Sequence, residues 1–269
     1  MEALIHDDLE DFLAVAGDFL DADPVNHSVH LTTLDSALRG IRQPAALISL
    51  HDNGSLVGAV TRMQDRPLHI AAMPPTAAQA VADALRGQEI DAVTGPLDRV
   101  EAFRPVWRDG GREMYRLRLY RLGDLAVPDV PGESRLATAE DDDLITEWWL
   151  QFAAELDGLA RDEAEKVMRG SRNMPAGHVL WVVDGTPVSW AGTTEPVAGV
   201  SRVGPVYTPP EHRRHGYAAA VTAAVSRWAH GAGADQVVLT ADLKDPTANS
   251  VYLGIGFVPV SDWSEYRWD

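Results

Sequence analysis

The spacing of apolar and polar positions divides the first half of the chain into alternating helices and strands. Apolar residues that recur every three to four positions predict helices over 8–20, 31–40, 76–85 and 96–107. Short apolar runs predict strands over 45–50, 56–61, 68–72, 90–94 and 114–122. Asn53-Gly54 lies between the first two strands, and this dipeptide favours a tight hairpin turn. The pattern is that of a protein that mixes helices and strands.

The second half of the chain repeats this order of elements. The predicted helices are 141–156, 162–170, 216–230 and 247–254. The predicted strands are 178–184, 187–194, 200–208, 236–242 and one or two over 257–268. Both halves have the order helix, helix, strand, strand, strand, helix, strand, helix, strand. We therefore interpret the chain as an internal duplication of one architecture.

A segment rich in Pro and Gly separates the two halves. Residues 123–134 contain two prolines and two glycines, which interrupt any periodic pattern, as interdomain linkers do. The sequence therefore predicts one domain over 1–124, a linker over 125–134 and a second domain over 135–269.

Composition and charge narrow the possible functions of these 269 residues. The formal net charge of −17 argues against nucleic acid or an anionic membrane as a partner, because both require a basic face. Without cysteine, the chain has no disulfide, no thiolate nucleophile and no Cys-ligated zinc. We also expect no metal site, since capping of a helix explains the acidic run Asp141–Asp143 more simply. The acidic N-terminus does not resemble a signal peptide, so we expect a cytoplasmic protein of undetermined oligomeric state.

The junction between the strand over 200–208 and the helix over 216–230 is the strongest candidate site. It contains the pattern Arg213-x-x-Gly216-x-Ala218, with small residues where a backbone must approach a ligand closely. The first turn of a helix offers unpaired N–H groups and the positive end of its dipole, which together favour phosphate groups. Arg213 and Arg214 add positive charge. Taken alone, the pattern also fits an ordinary strand–loop–helix junction.

A second candidate segment lies on the predicted helix over 247–254. Asn249 and Tyr252 are three residues apart, so their side chains share one face of this helix. The helix follows the strand expected beside the Arg213–Ala218 junction, so both can face one cleft. The alternatives are that Asn249 is an exposed polar residue and that Tyr252 only packs the helix against the protein.

Together, the element order of residues 135–269, the Arg213–Ala218 pattern and Asn249…Tyr252…Gly256-Phe257 resemble the GNAT superfamily of N-acetyltransferases. The resemblance implies an α/β fold of two tandem GNAT-like domains, each a splayed mixed sheet flanked by helices. It implies acetyl-CoA as co-substrate, without a metal. It implies that Tyr252 is the general acid that protonates the departing thiolate. The implied cofactor-binding residues are Val206, Tyr207, Thr208, Arg213, Arg214, His215, Gly216, Tyr217, Ala218 and Asn249.

The general base and the role of the N-terminal half are less clearly indicated. The strand over 200–208 has no Asp or Glu, so Glu195, just after the preceding strand, is the nearest candidate base, with a water-mediated route as the alternative. In the N-terminal half, the corresponding junction over 71–80 has neither the glycine pattern nor an arginine. We therefore expect this half to be a degenerate copy that does not bind CoA tightly.

The predicted reaction is transfer of an acetyl group from acetyl-CoA to the primary amine of a small molecule or peptide. A mycothiol-synthase-like acetyltransferase is a more specific alternative, because that family is also a tandem of this fold. A non-catalytic acyl-CoA-binding or sensing module is an alternative of another class. Release of free CoA in the presence of amines distinguishes the enzyme from the sensor.

Overall fold

The computed structural model describes residues 1–64, 66–157 and 176–268. Contacts between residues divide the chain into two compact units. Unit 1 comprises Met1–Leu119, Ala241–Lys244 and Val260–Asp269. Unit 2 comprises Tyr120–Thr240 and Asp245–Pro259. The domain bounds predicted from the sequence, 1–124 and 135–269, are not the bounds of these units, and they stay a prediction.

Unit 1 is a mixed sheet with helices. Its helices are α1 (Leu9–Asp21), α2 (Ser28–Leu38), α3 (Ala78–Ala84) and α4 (Leu97–Trp107). Its strands are β1 (Glu2–Ile5), β2 (Pro44–Asp52), β3 (Ser55–Met63), β4 (Leu68–Ala72), β5 (Ala92–Pro96) and most of β6 (Arg112–Leu122). Strands β1 to β4 are antiparallel neighbours in chain order, and β4 then pairs parallel with β5. The last strand of the chain, β12 (Phe257–Arg267), pairs antiparallel with β5 over Trp263–Arg267, so the C-terminal residues belong to unit 1.

Unit 2 has the same kind of sheet. Its strands are β7 (Glu133–Leu136), β8 (Ala176–Val183), β9 (Thr186–Thr194), β10 (Val200–Tyr207) and β11 (Gln236–Asp242), the last ending in unit 1. Its helices are α5 (Asp142–Asp157), α6 (Tyr217–Gly231) and α7 (Pro246–Gly254). Strands β7 to β10 are antiparallel neighbours, and β10 pairs parallel with β11.

Turn residues and packing explain why these elements form. Asn53 and Gly54 have φ values of +49° and +81°, and Asp184 and Gly185 have +48° and +78°. Both pairs therefore adopt the left-handed conformation that a two-residue hairpin turn requires. In unit 2, Trp190 and Tyr207 lie in one buried apolar cluster with residues of α5. A Cβ on Gly177 would lie 2.5 Å from the Trp228 ring of α6, so this glycine allows the helix to approach the sheet closely.

The structure confirms the predicted fold class and adds two strands that the apolar pattern missed. Strands β1 and β7 are short and mostly exposed. Among the described residues, β1 pairs with β2 alone and β7 pairs with β8 alone, both antiparallel. Their side chains lack the alternation between apolar and polar residues that marks a half-buried strand. The predicted helix over 162–170 lies outside the described residues. In the described ranges, no helix is long and apolar enough to span a bilayer.

A fully buried histidine ties α2 to the sheet of unit 1. The N–H of Ala72 donates to Nε2 of His30, with 3.3 Å between the two nitrogens. Nδ1 therefore carries the ring proton and donates to Oγ1 of Thr61 at 2.8 Å. Burial, followed by the neighbouring His69, His27 and Arg99, holds the pKa of His30 well below its usual range. The neutral imidazole is thus part of the folded structure.

We expect this histidine to make the protein less stable at acid pH. As the pH falls below 6.5, the unfolded chain protonates residue 30 and the folded chain does not, so the free energy of unfolding falls by up to about 1.4 kcal/mol per pH unit. Urea unfolding at pH 7.5, 6.5 and 5.5 measures this loss. His30→Gln should reduce the loss, while His230→Gln, at an exposed position, should leave it unchanged. An identical loss in His30→Gln and wild type would contradict the assignment.

Candidate functional site

The end of β10 extends beyond its pairing with β11. The parallel pairing joins Val200–Arg202 to Gln236–Val238. On its other side, β10 continues to pair with β9 at Val206 and Tyr207, after a register shift that follows Val203. Within the described part of the chain, residues 203–207 have no partner on β11. This edge therefore has backbone groups that a ligand can reach, at the strand end predicted to contact the cofactor.

The segment between β10 and α6 has the backbone geometry of an anion-binding loop. After a short 3-10 helix over Pro210–His212, Arg214 and Gly216 have φ values of +66° and +84°, and α6 begins at Tyr217. The N-cap residue of α6, Gly216, has no side chain to cap the first turn, and this turn has no acidic residue. Its first backbone N–H groups are thus available to an anion, which the helix dipole also favours. We call residues 213–216 the phosphate loop.

Gly216 is required at its position for two reasons. Its φ of +84° is strained for any residue with a side chain. A Cβ there would also lie 2.7 Å from Cγ1 of Val130, a residue of the predicted linker that packs against the loop within unit 2. The glycine is therefore required by the structure of the protein itself, in addition to the space that a ligand needs.

Helix α7 places Asn249 and Tyr252 as predicted, on one face. The Asp245 carboxylate caps the helix by accepting from the N–H groups of Thr247 and Ala248. The Asn249 amide donates to the carbonyl of Asp245 at 2.6 Å and accepts from the Tyr120 hydroxyl at 2.6 Å. Asn249 is thus neither an exposed polar residue nor held by α7 alone. Sequence analysis missed Tyr120, because no local pattern links β6 to α7.

Tyr252 lies in an aromatic group with a hydroxyl that keeps its proton. Its ring centroid lies 6.4 Å from that of Tyr120 and 6.1 Å from that of Phe257. Burial, followed by the charge of Asp245, raises the pKa of Tyr252 to about 12. No hydrogen-bond partner of this hydroxyl is found among the described residues. At neutral pH the side chain is therefore a donor with its proton available.

The other predicted residues occupy separate positions. Glu195 is exposed in the turn between β9 and β10, whereas Tyr207 lies at the opposite end of β10. Its assignment as the base stays a prediction. Although it is not among the residues predicted for the site, Trp148 of α5 also lies beside Tyr207, buried in the core with 6.4 Å between ring centroids. No group of three or more metal-ligating side chains is found in the described ranges.

Unit 1 has a shorter version of the same junction. Met73-Pro74-Pro75 follows β4 as Thr208-Pro209-Pro210 follows β10, a repeat of residues that sequence analysis overlooked. In unit 1 the 3-10 helix over Pro75–Ala77 runs directly into α3, whereas unit 2 inserts the four residues of the phosphate loop. Unit 1 therefore has no counterpart of the loop.

The strand end of unit 1 is also filled by side chains of the same unit. Aligned on the two prolines, Ala71 and Ala72 correspond to Val206 and Tyr207. The carbonyl of Ala71 accepts from the Arg99 guanidinium of α4, and the N–H of Ala72 donates to His30. The backbone groups that could contact a ligand here already have partners.

Comparisons with known proteins agree with this geometry. Residues 142–257 match the family described as Acetyltransferase (GNAT) family. A GNAT-family acetyltransferase from Colwellia psychrerythraea is 12% identical, with a TM-score of 0.61 over all of both chains. A tandem GNAT protein from the clavulanic acid biosynthesis pathway is 16% identical, with a TM-score of 0.61 over 98% of this chain and 97% of that one. A GCN5-related N-acetyltransferase from Kribbella flavida is 21% identical, with a TM-score of 0.57 over 88% and 95%.

These structural similarities cover both halves of the chain, so the tandem fold extends beyond the matched family segment. Among curated proteins, none matches the sequence. The family match and the fold therefore indicate acyl transfer in general, without an acceptor.

Replacing Gly216 tests the conformation of the phosphate loop. We expect Gly216→Ala to lower the free energy of unfolding by about 1–3 kcal/mol, because alanine is strained at positive φ and its methyl group meets Val130. Gly231→Ala is the matched control, since Gly231 ends the same helix with open space around it and an ordinary φ. Denaturant unfolding measures both. Equal stability of the two variants would contradict the loop conformation.

Proposed function

We propose that the segment matching the GNAT family, residues 142–257, transfers an acetyl group from acetyl-CoA to the primary amine of a small molecule or peptide. The family match indicates the general activity, acyl transfer. The acetyl donor and the amine acceptor are the proposed part. The observation that supports them best is the phosphate loop at the uncapped start of α6, beside the unpaired end of β10.

The loop fits the pyrophosphate of CoA in shape and charge. Arg214 and Gly216 have the left-handed φ values that occur in anion-binding backbone nests, directly before the first turn of α6. The absence of a side-chain cap at this turn leaves its N–H donors for the ligand. On a chain with a net charge of −17, Arg214 in this loop provides local attraction for phosphates.

Individual residues have distinct proposed roles in binding. The backbone of Val206, Tyr207 and Thr208 would contact the pantetheine arm. The loop and the start of α6 would hold the phosphates, through Arg213, Arg214, His215, Gly216, Tyr217 and Ala218. Asn249 would contribute from α7, where Tyr120 and Asp245 fix its amide. Its orientation is therefore set before a ligand arrives, which lowers the entropic cost of binding.

Tyr252 is the proposed general acid. When bound, acetyl-CoA would supply a thioester: the amine nitrogen bonds to the acetyl carbon, the carbon–sulfur bond breaks to release a thiolate, and the amine gives up a proton to Glu195 or to water. With a pKa of about 12, the Tyr252 hydroxyl keeps its proton at neutral pH and can donate it, or a hydrogen bond, to the sulfur. Its partial burial strengthens such an interaction, because few water molecules compete for the donor.

We expect one CoA site per chain, in unit 2. Unit 1 lacks the four-residue phosphate loop, and His30 and Arg99 occupy the polar groups at its strand end. Isothermal titration of the full chain with CoA should give a stoichiometry of one. Gly216→Glu should abolish this binding, because a side chain at this positive φ meets Val130 and displaces the loop, and the added carboxylate repels phosphate. Two comparable sites, or binding that survives this substitution, would contradict the assignment.

Tyr252→Phe separates catalysis from binding. The ring and its packing remain, but the proton donor is lost, so kcat should fall by about 10²-fold while CoA affinity stays near the wild-type value. Free CoA released from acetyl-CoA, measured across a panel of amines, gives kcat. Tyr266→Phe, which removes the hydroxyl that donates to Gly110 in unit 1, is the matched control.

A kcat within twofold of wild type would show that Tyr252 is only a packing residue. CoA binding by the wild-type protein without turnover on any amine would favour the sensing module over the enzyme.

A further inference from the structure

The guanidinium of Arg213 is held on three sides. Its Nε donates to the carbonyl of Thr208 at 2.9 Å. Its Nη2 donates to both carboxylate oxygens of Glu155, at 2.9 and 2.7 Å. Its central carbon lies 5.8 Å from the centroid of the Tyr207 ring. These contacts join the phosphate loop to the end of β10 and to α5.

Glu155 is in turn held by the protein. The Tyr207 hydroxyl lies 3.1 Å from a carboxylate oxygen of Glu155 and 3.1 Å from the amide oxygen of Gln151, one turn earlier on α5. Burial, followed by the charge of Glu155, raises the pKa of Tyr207 to about 12. The hydroxyl therefore stays protonated, and its single proton is directed to one of these two oxygens or shared between them. Glu155, whose side chain is about half exposed, thus lies at the centre of a polar cluster.

Arg214 is exposed, as Arg213 is, but its backbone and its contacts differ from those of Arg213. It has the left-handed φ of +66°, and it has no carboxylate partner in the part of the chain that the structure describes. Its charge is therefore not neutralised by a carboxylate among the described residues. By contrast, the charges of Arg213 and Glu155 cancel, so this pair adds little net attraction for an anion.

We propose that Glu155 and Tyr207 are positioning residues, which clamp Arg213 and thereby fix the phosphate loop, while Arg214 supplies the charge that meets the ligand. The proposal rests on the proposed function in that the ligand is CoA. An exposed ion pair contributes little to global stability. Its effect here is local, since a loop that is already in place binds without the cost of ordering it.

Glu155 either competes with the phosphates for Arg213 or positions the loop. These two roles predict opposite effects of Glu155→Gln on CoA affinity. If Arg213 contacts the phosphates directly, Glu155 competes with them, and its neutralisation should tighten CoA binding. If Glu155 positions the loop, the same substitution should weaken binding although the protein becomes less negative. The sign of the change in CoA affinity thus decides between the two roles.

The experiment is isothermal titration with CoA, at several salt concentrations, of wild type and five variants. These are Glu155→Gln, Arg213→Gln, the double variant, Arg214→Gln and the charge-matched control Glu133→Gln, on the exposed strand β7. We expect Glu155→Gln and Arg213→Gln each to weaken binding by about threefold to tenfold. The double variant should be no weaker than the weaker single variant, because both remove one clamp. Only Arg214→Gln should reduce the salt dependence of CoA affinity, and Glu133→Gln should match wild type.

A ligand-free measurement tests the clamp independently of CoA. Hydrogen–deuterium exchange of the backbone over 208–218 should be faster in Glu155→Gln than in wild type and in Glu133→Gln. Unchanged exchange, or tighter CoA binding by Glu155→Gln, would overturn the proposal. Failure of wild type to bind CoA would contradict the proposed function, and the exchange rates would still decide whether the clamp exists.

Discussion

Backbone polar groups at the end of a strand and at the start of a helix need hydrogen-bond partners. How this need is met governs how the two units differ. A helix leaves its first N–H groups without internal acceptors, and an unpaired strand edge leaves both donors and acceptors. In unit 2, within the described residues, the end of β10 has no partner on β11, and the N-cap residue of α6 provides no side-chain cap. In unit 1 the equivalent groups of the strand end receive Arg99 and His30. One architecture can therefore provide an open site in one unit and a filled, structural version in the other.

The difference between the junctions is small in sequence and large in consequence. Both have a strand, two prolines and a 3-10 helix in the same order. Four residues, 213–216, then separate the 3-10 helix from α6 and introduce two left-handed positions. Their absence in unit 1 lets α3 start at once, so no concave run of N–H groups can form. The family match over 142–257 is consistent with this, since it covers the half that has the loop.

Side chains from distant parts of unit 2 hold the candidate site in place. Tyr120 of β6 fixes Asn249 of α7, and Glu155 of α5 fixes Arg213 of the phosphate loop. A tyrosine hydroxyl takes part in both cases. Tyr120 donates to the amide oxygen of Asn249 itself, and Tyr207 donates to Glu155, the partner of Arg213. Such contacts preorganise the functional groups before a ligand arrives. Preorganisation favours both tight binding and rapid reaction of the bound substrate.

The sequence by itself determined the features that depend on neighbouring residues. Apolar periodicity determined the order of helices and strands, and Asn53-Gly54 determined a hairpin, because both act within a few residues of chain. The Arg213–Ala218 pattern likewise located the phosphate loop, since glycine and helix-start geometry are local properties. Only the tertiary structure decided the pairing of β12 with β5, the edge strands β1 and β7, and the partners of Asn249, Arg213 and His30. These depend on residues that are distant in sequence, and a hydrogen bond or strand pair of that kind leaves no periodic trace along the chain.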